Sequence, residues 1–116
     1  MQYEISDTGT IAMIRITGDI DNVQMTQRLD DEISAYISKG RHHFAFNLEK
    51  TTYLDSAGIG IFVHCLSDVQ AHRGSVSVIA NRGDVKKLLE LVGINRLMKM
   101  YNSEEEFLAA QKVVGS

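Results

Sequence analysis

Apolar residues recur along this chain with two different periods, and the two alternate from one end to the other, which leaves few architectures open. Short stretches that alternate or run continuously apolar read as strands: Gln2 to Ser6, Thr10 to Thr17, His43 to Glu49, Ser75 to Ala80 and Leu97 to Tyr101. Between the later ones the spacing becomes helical, with Met25, Leu29, Ile33, Tyr36 and Ile37, then Ile59, Phe62, Val63, Leu66 and Val69, then Val85, Leu88, Leu89 and Val92, and last Phe107 and Leu108. The punctuation agrees with the periods. Asp7-Thr8-Gly9 is a hairpin turn, Asp21-Asn22 precedes the first helix and Gly40 ends it, and the second helix stops near Gly74. Asn81 and Asp84 serve as cap and third-position acid, Gly93 closes the third helix, and Ser103-Glu104-Glu105-Glu106 is a capping box.

The expected order is therefore β-β-α-β-α-β-α-β-α. Strands separated by helices must be joined by crossovers and pair in parallel, so the fold class is α/β, a sandwich on a mixed, mostly parallel sheet of about five strands. Its 116 residues make a single domain over 1–116. Binding loops of such sheets lie at the carboxyl ends of the strands, here Gly18-Asp19-Ile20-Asp21-Asn22 and Thr51 to Gly58.

Composition removes several function classes. With 44% hydrophobic and 23% charged residues the chain is a globular protein and not a disordered one. A net charge of −3, with basic residues scattered singly apart from Lys86-Lys87, leaves no patch for a phosphate backbone, so no direct nucleic-acid partner is expected. One cysteine forms no internal disulfide, no Cys/His grouping has zinc spacing, and no apolar run reaches the ~20 residues of a membrane span. We expect a soluble cytoplasmic protein with no membrane partner, no cofactor and no metal.

The segment Leu54-Asp55-Ser56-Ala57-Gly58-Ile59-Gly60 invites three chemical readings. A dinucleotide fingerprint fails on counting, because Val63 stands where the third glycine belongs and the next strand ends in Ala80-Asn81 without a ribose-binding acid. A nucleophile elbow lacks its first glycine, replaced by Leu54, and the triad partners available, His64, His72 and Asp68, share the helix of Ser56. Roughly 10 to 14 Å of helix rise separates Ser56 from His64, too far for a proton relay, so no catalytic residue is expected. The third reading makes Ser56 a hydroxyl offered to a partner kinase: a helix N-terminus accommodates a phosphoserine through its free N–H groups and dipole, while an interface built on a neutral hydroxyl beside Asp55 does not. Against it stands the plain role of Asp and Ser as N-caps. Gly58 and Gly60, each costing about 1 kcal/mol inside a helix, reflect either close approach of another backbone or tight packing on the sheet.

Three ordered segments carry a resemblance over essentially the whole chain: Asp55-Ser56-Ala57-Gly58-Ile59-Gly60 after an apolar strand, Leu88-Leu89-Glu90-Leu91-Val92-Gly93-Ile94-Asn95-Arg96-Leu97, and Tyr101-Asn102-Ser103-Glu104-Glu105-Glu106-Phe107-Leu108-Ala109. Together they resemble a STAS domain, and more narrowly the bacterial anti-sigma factor antagonists. The resemblance implies a STAS-type sandwich with helices mainly on one face, and a partner-switching regulator that is not itself an enzyme. Unphosphorylated, such a protein binds an anti-sigma factor with serine kinase activity and frees sigma factor; phosphorylation ends the binding, and a phosphatase reverses the mark. Ser56 matches the family's phosphoacceptor, Asp55 the acid before it, and Gly18-Asp19-Ile20-Asp21 the turn beside it, while Ala57 replaces an often-present second serine. The expected partner-binding residues are thus Asp19, Asp21, Asn22, Asp55, Ser56, Ala57 and Gly58. The alternative within the same resemblance is a non-switching STAS scaffold or accessory subunit of a sensory or lipid-transport complex.

Elsewhere, Cys65 between Phe62 and Leu66 reads as a packed side chain, His42 and His43 as surface histidines, Met98 and Met100 as edge packing, and Glu104 to Glu106 as helix-start acids.

Overall fold

The computed structural model describes residues 1–81 and 83–115, with side chains of the last helix through Gln111. Five strands form one sheet whose spatial order follows the chain, β1 (Gln2–Thr8), β2 (Ile11–Ile20), β3 (His43–Leu54), β4 (Ser75–Ile79) and β5 (Lys99–Tyr101). Only β1 and β2 are antiparallel; β2 to β5 run parallel, as helical crossovers require. The helices are α1 (Val23–Ser38), α2 (Ser56–Gln70), α3 (Gly83–Leu91), the short α4 (Ile94–Leu97) and α5 (Glu104–Gly115).

The alternation of side chains along the strands divides the interior in two. Ala12, Ile14, Ile16, Phe44, Phe46, Leu48, Val76 and Val78 face the main core with Leu29 and Ile33 of α1, Phe62, Cys65 and Val69 of α2, and Leu89 of α3. The opposite face buries a smaller set, Met13, Ala45 and Ile79 under Phe107 of α5. So four helices share one face and α5 alone covers part of the other. Ala45 and Asn47 are buried on that second face, so β3 is covered on both sides.

The boundaries shift in several places. The hairpin turn is Gly9-Thr10 and not Asp7-Thr8-Gly9, since Thr8 still pairs with Ile11 and Gly9, at φ +67°, supplies the left-handed residue of a two-residue turn. The α2 face is rotated: Ile61 and Cys65 are buried while Val63 is exposed, an ambiguity inherent in a helix apolar almost all round. Val92 is likewise exposed, just beyond α3. Leu97 ends α4, leaving only three residues to β5. His72 lies in the turn after α2. The Asn81 amide donates to Glu49 Oε2 at 3.2 Å, while the expected Asn81 cap of α3 adjoins Arg82 and lies outside the described residues. Ser103 does cap α5, accepting from the Glu106 N–H at 3.0 Å.

Both β2 and β3 run farther than periodicity suggests, to Ile20 and Leu54, so Thr51 to Leu54 is strand and not loop. The register shifts twice on the way, once between Arg15 and Thr17 and once between Gly18 and Asp19, each time with an extra residue in β3. At the first shift the buried Thr51 hydroxyl donates to the Ile16 carbonyl at 2.8 Å, satisfying a group the ladder has released. At the second, Gly18 adopts φ +89°, open to glycine and strained for other residues.

Candidate functional site

Those two irregularities deliver the ends of β2 and β3 side by side. Asp19 pairs with Tyr53 and Ile20 with Leu54, so Ile20 and Leu54 point into the core while Asp19 and Tyr53 face out. Thr52 Oγ1 donates to Asp19 Oδ1 at 2.5 Å, and the Asp55 N–H donates to the Ile20 carbonyl at 3.3 Å, tying the two loops together.

Each loop then opens a helix with a side-chain cap. Asn22 Oδ1 accepts from the Met25 N–H at 3.1 Å, and Asp55 Oδ1 accepts from the Gly58 N–H at 3.1 Å. Asp55 is therefore the α2 cap, with extended backbone (φ −107°, ψ −173°), and Ser56 is the first helical residue. Ser56 and Ala57 are exposed, as are Asp19, Asp21 and Asn22. Capping is performed by Asp55, so the Ser56 hydroxyl is not used for it.

The two glycines differ. Gly58 is buried, and a Cβ there would stand 2.9 Å from Ile20 Cγ2 and 3.4 Å from Leu54 Cβ, so its smallness serves tight packing of α2 on the sheet. Gly60 is exposed and a Cβ would meet nothing within 4 Å.

The seven residues expected at the site thus lie where β2 passes into α1 and β3 into α2, at the carboxyl ends of two strands joined there by a backbone hydrogen bond. Sequence reasoning missed Val23, the first residue of α1, and Tyr53, near the end of β3, two large apolar side chains left exposed beside the same site. Their signal was weak: both stand outside any periodic run, Val23 directly after the cap Asn22 and Tyr53 two residues before the cap Asp55.

A second polar cluster lies apart from Ser56, on the sheet face that α5 partly covers. Arg15 Nε and Nη2 donate to the two oxygens of Glu104 at 2.9 and 2.8 Å, Asn47 Nδ2 donates to Glu104 Oε1 at 2.8 Å, and Arg15 Nη1 reaches Ser6 Oγ at 2.8 Å. The guanidinium, more than the amide, holds the Glu104 carboxyl below its ordinary range, against the opposing effect of burial. Glu104 is thus an inter-element tie as well as a helix-start acid. A cavity of about 420 Å³ opens here, lined by Glu4, Arg15, Asn47, Glu49 and Glu104 among others.

With this geometry in hand, the family model for the STAS domain matches residues 2–107. The chain belongs to the STAS family. A curated relative, the anti-sigma F factor antagonist of Paenibacillus polymyxa, is 21% identical over 117 residues, covering 98% of this chain and 97% of its own. The solved structure of the anti-sigma factor antagonist SpoIIAA in its unphosphorylated form superposes with a TM-score of 0.79 at 20% identity, over 99% of this STAS chain and all of the other. The Bacillus cell fate determinant SpoIIAA in its phosphorylated form gives 0.76 at 21% identity, over 94% and 98%. The five-stranded STAS sandwich expected from the sequence is the fold observed.

Proposed function

We propose that this STAS protein is an anti-sigma factor antagonist switched by phosphorylation of Ser56. Unphosphorylated, it holds an anti-sigma factor that is also a serine kinase, through the face formed by Asp19, Asp21, Asn22, Asp55, Ser56 and Ala57, while Gly58, expected in that face, is buried beneath it and seats α2 on the sheet. The kinase then modifies Ser56 and ends its own binding, and a phosphatase restores the hydroxyl. Relatives named as anti-sigma factor antagonists, matching over 98% and 79% of this chain, support the class of partner.

One observation carries the switch: Ser56 is exposed at the first position of α2 while Asp55 does the capping. A phosphate placed there gains from the N–H groups and dipole of a 15-residue helix, so the fold has no reason to change. A bound partner is in the opposite position. About −1.5 to −2 of charge arrives beside Asp55 and close along the chain to no cation nearer than Lys50, and it must be desolvated in the interface. Truncations of interfacial charges cost roughly 2 to 5 kcal/mol, which corresponds to about thirtyfold to several-thousandfold weaker binding.

The test is phosphorylation by an anti-sigma factor kinase with ATP, read by intact-mass spectrometry and followed by binding to the same kinase. One phosphate is expected on the wild type and none on Ser56→Ala, with Ser56→Asp melting like wild type but binding more weakly. Equal phosphorylation of Ser56→Ala would remove Ser56 from the mechanism. Full-strength binding by the phosphorylated protein would favour the non-switching scaffold instead.

A further inference from the structure

The sequence scatters its basic residues, but the fold gathers many of them. Because β2 to β5 are parallel and stand in chain order, the segments leading into β3, β4 and β5 line up along the amino-end rim of the sheet, opposite Ser56. The first two touch: the Ser75 N–H donates to the His42 carbonyl at 3.0 Å, and the rings of His42 and His72 stack at 4.2 Å, 5° from parallel. Along this rim lie Lys39, Arg41, Arg73, Arg96 and Lys99. Of the acids at this end among the described residues, Asp7 is paired with Arg41 at 2.7 Å, Asp68 lies 3.4 Å from His64, and Glu90 remains. Among the described residues the carboxyl-end rim has the reverse balance, with Asp19, Asp21, Asp55, Asp84, Glu105 and Glu106 against Lys50, Lys86 and Lys87, and with Glu104 paired to Arg15. The modest net charge of −3 therefore conceals two oppositely charged ends.

The basic rim also carries unburied aliphatic side chains. Leu91, Val92 and Leu97, at the α3–α4 corner, are 83%, 49% and 53% exposed. Neither the cavity of about 420 Å³ against β1 to β3 and α5 nor that of about 560 Å³ against β1 and α1 is lined by them. Protein hot spots favour Trp and Tyr in fitted pockets, whereas projecting aliphatic residues flanked by cations suit a flat surface with an apolar interior and anionic headgroups.

We propose that the amino-end rim docks on an anionic lipid bilayer, with Leu91, Val92 and Leu97 entering the headgroup layer and Lys39, Arg73, Arg96 and Lys99 held by the lipid charge. The protein then lies with its acidic end and Ser56 directed away from the bilayer. The inference is independent of what Ser56 does.

Sedimentation of the full chain with vesicles tests it, using phosphatidylcholine alone or mixed with phosphatidylglycerol. The mixed vesicles are expected to carry the protein down, the neutral ones not, and high salt to release it. Each cation near an anionic surface is worth about fivefold, so Arg73→Gln with Arg96→Gln should lower the partition about 25-fold. Leu91→Ser with Leu97→Ser should lower it at least tenfold without moving the thermal midpoint, while Ser56→Ala should partition as wild type. Equal partition onto both vesicle types, or an unchanged partition in either double variant, overturns the proposal. A Leu91-dependent dimer, or retention by nucleic acid with none on the mixed vesicles, would reassign the rim.

Discussion

Removing the Glu104 carboxylate should loosen α5 from the sheet, and the cost can be worked from its contacts. Glu104 accepts two charge-assisted hydrogen bonds from Arg15 and one from Asn47, all between 2.8 and 2.9 Å. Fully buried, hydrogen bonds to a charge contribute about 1.5 to 3 kcal/mol each. Here the side chains of Arg15 and Glu104 remain 35% and 27% exposed, so solvent screens the pair toward the 0.2 to 1 kcal/mol of exposed ion pairs. Bidentate geometry and the Asn47 amide raise it above that range, to about 1.5 to 2 kcal/mol for Glu104→Ala. A chain of 116 residues loses about 4 °C per kcal/mol, giving a fall of about 6 to 8 °C at neutral pH. The pH dependence has a definite sign. Arg15, the largest influence, lowers the folded pKa of Glu104, so the contribution is complete above the unfolded value near 4.3 and fades as pH falls through the lower folded value. Calorimetric or circular-dichroism melts of both proteins at pH 7 and in strong acid check this, the gap narrowing in acid. A midpoint within about 2 °C of wild type at pH 7, or an undiminished gap in acid, would refute the assignment.

Two further substitutions discriminate between packing and exposure. Gly58→Ala forces a methyl against Ile20 and should lose about 1 kcal/mol net, overpacking outweighing helix propensity, whereas Gly60→Ala, with open space around it, should gain about 0.5 to 1 kcal/mol; denaturant melts showing the same sign for both would contradict the geometry. His64 bridges Asp30 at 3.0 Å and Asp68 at 3.4 Å, and Asp30 first among these partners raises its pKa. That contribution is present below the unfolded pKa and lost as pH rises through the folded one. His64→Gln should therefore fall short of wild type by about 0.3 to 1 kcal/mol near pH 5.5 and by less near pH 8.5. A deficit that grows with pH would reverse the sign and exclude the pairing.

Much of the architecture was legible because periodicity and punctuation agreed. The run from Met25 to Ile37 had charged residues between its apolar positions, and its Leu29 and Ile33 are buried as spaced. In α2 the same arithmetic was degenerate, since Ile59, Ile61, Phe62, Val63, Cys65 and Leu66 offer several apolar stripes, and only contact with the sheet selects Ile61 and Cys65. The extension of β3 through Thr51 to Leu54 was invisible because bulges and a threonine hydroxyl maintain pairing where alternation has lapsed. The loops around Asp19 and Asp55 were readable as strand ends followed by caps. The partnership of Arg15 with Glu104, 89 positions apart, had no local trace, nor did the contact between the stretches containing His42 and His72.

A sheet whose neighbours in space are also neighbours in sequence has a kinetic consequence. Each strand emerging from a ribosome finds its template already laid down, and no segment must wait for a later one to be inserted between it and its mate. The exception is the closing clasp between Arg15 and Glu104, which joins the earliest hairpin to the final helix. Assembly can thus proceed from the amino terminus as a growing edge, with the terminal helix latching last, and that latch should be the first element to open in native-state hydrogen exchange.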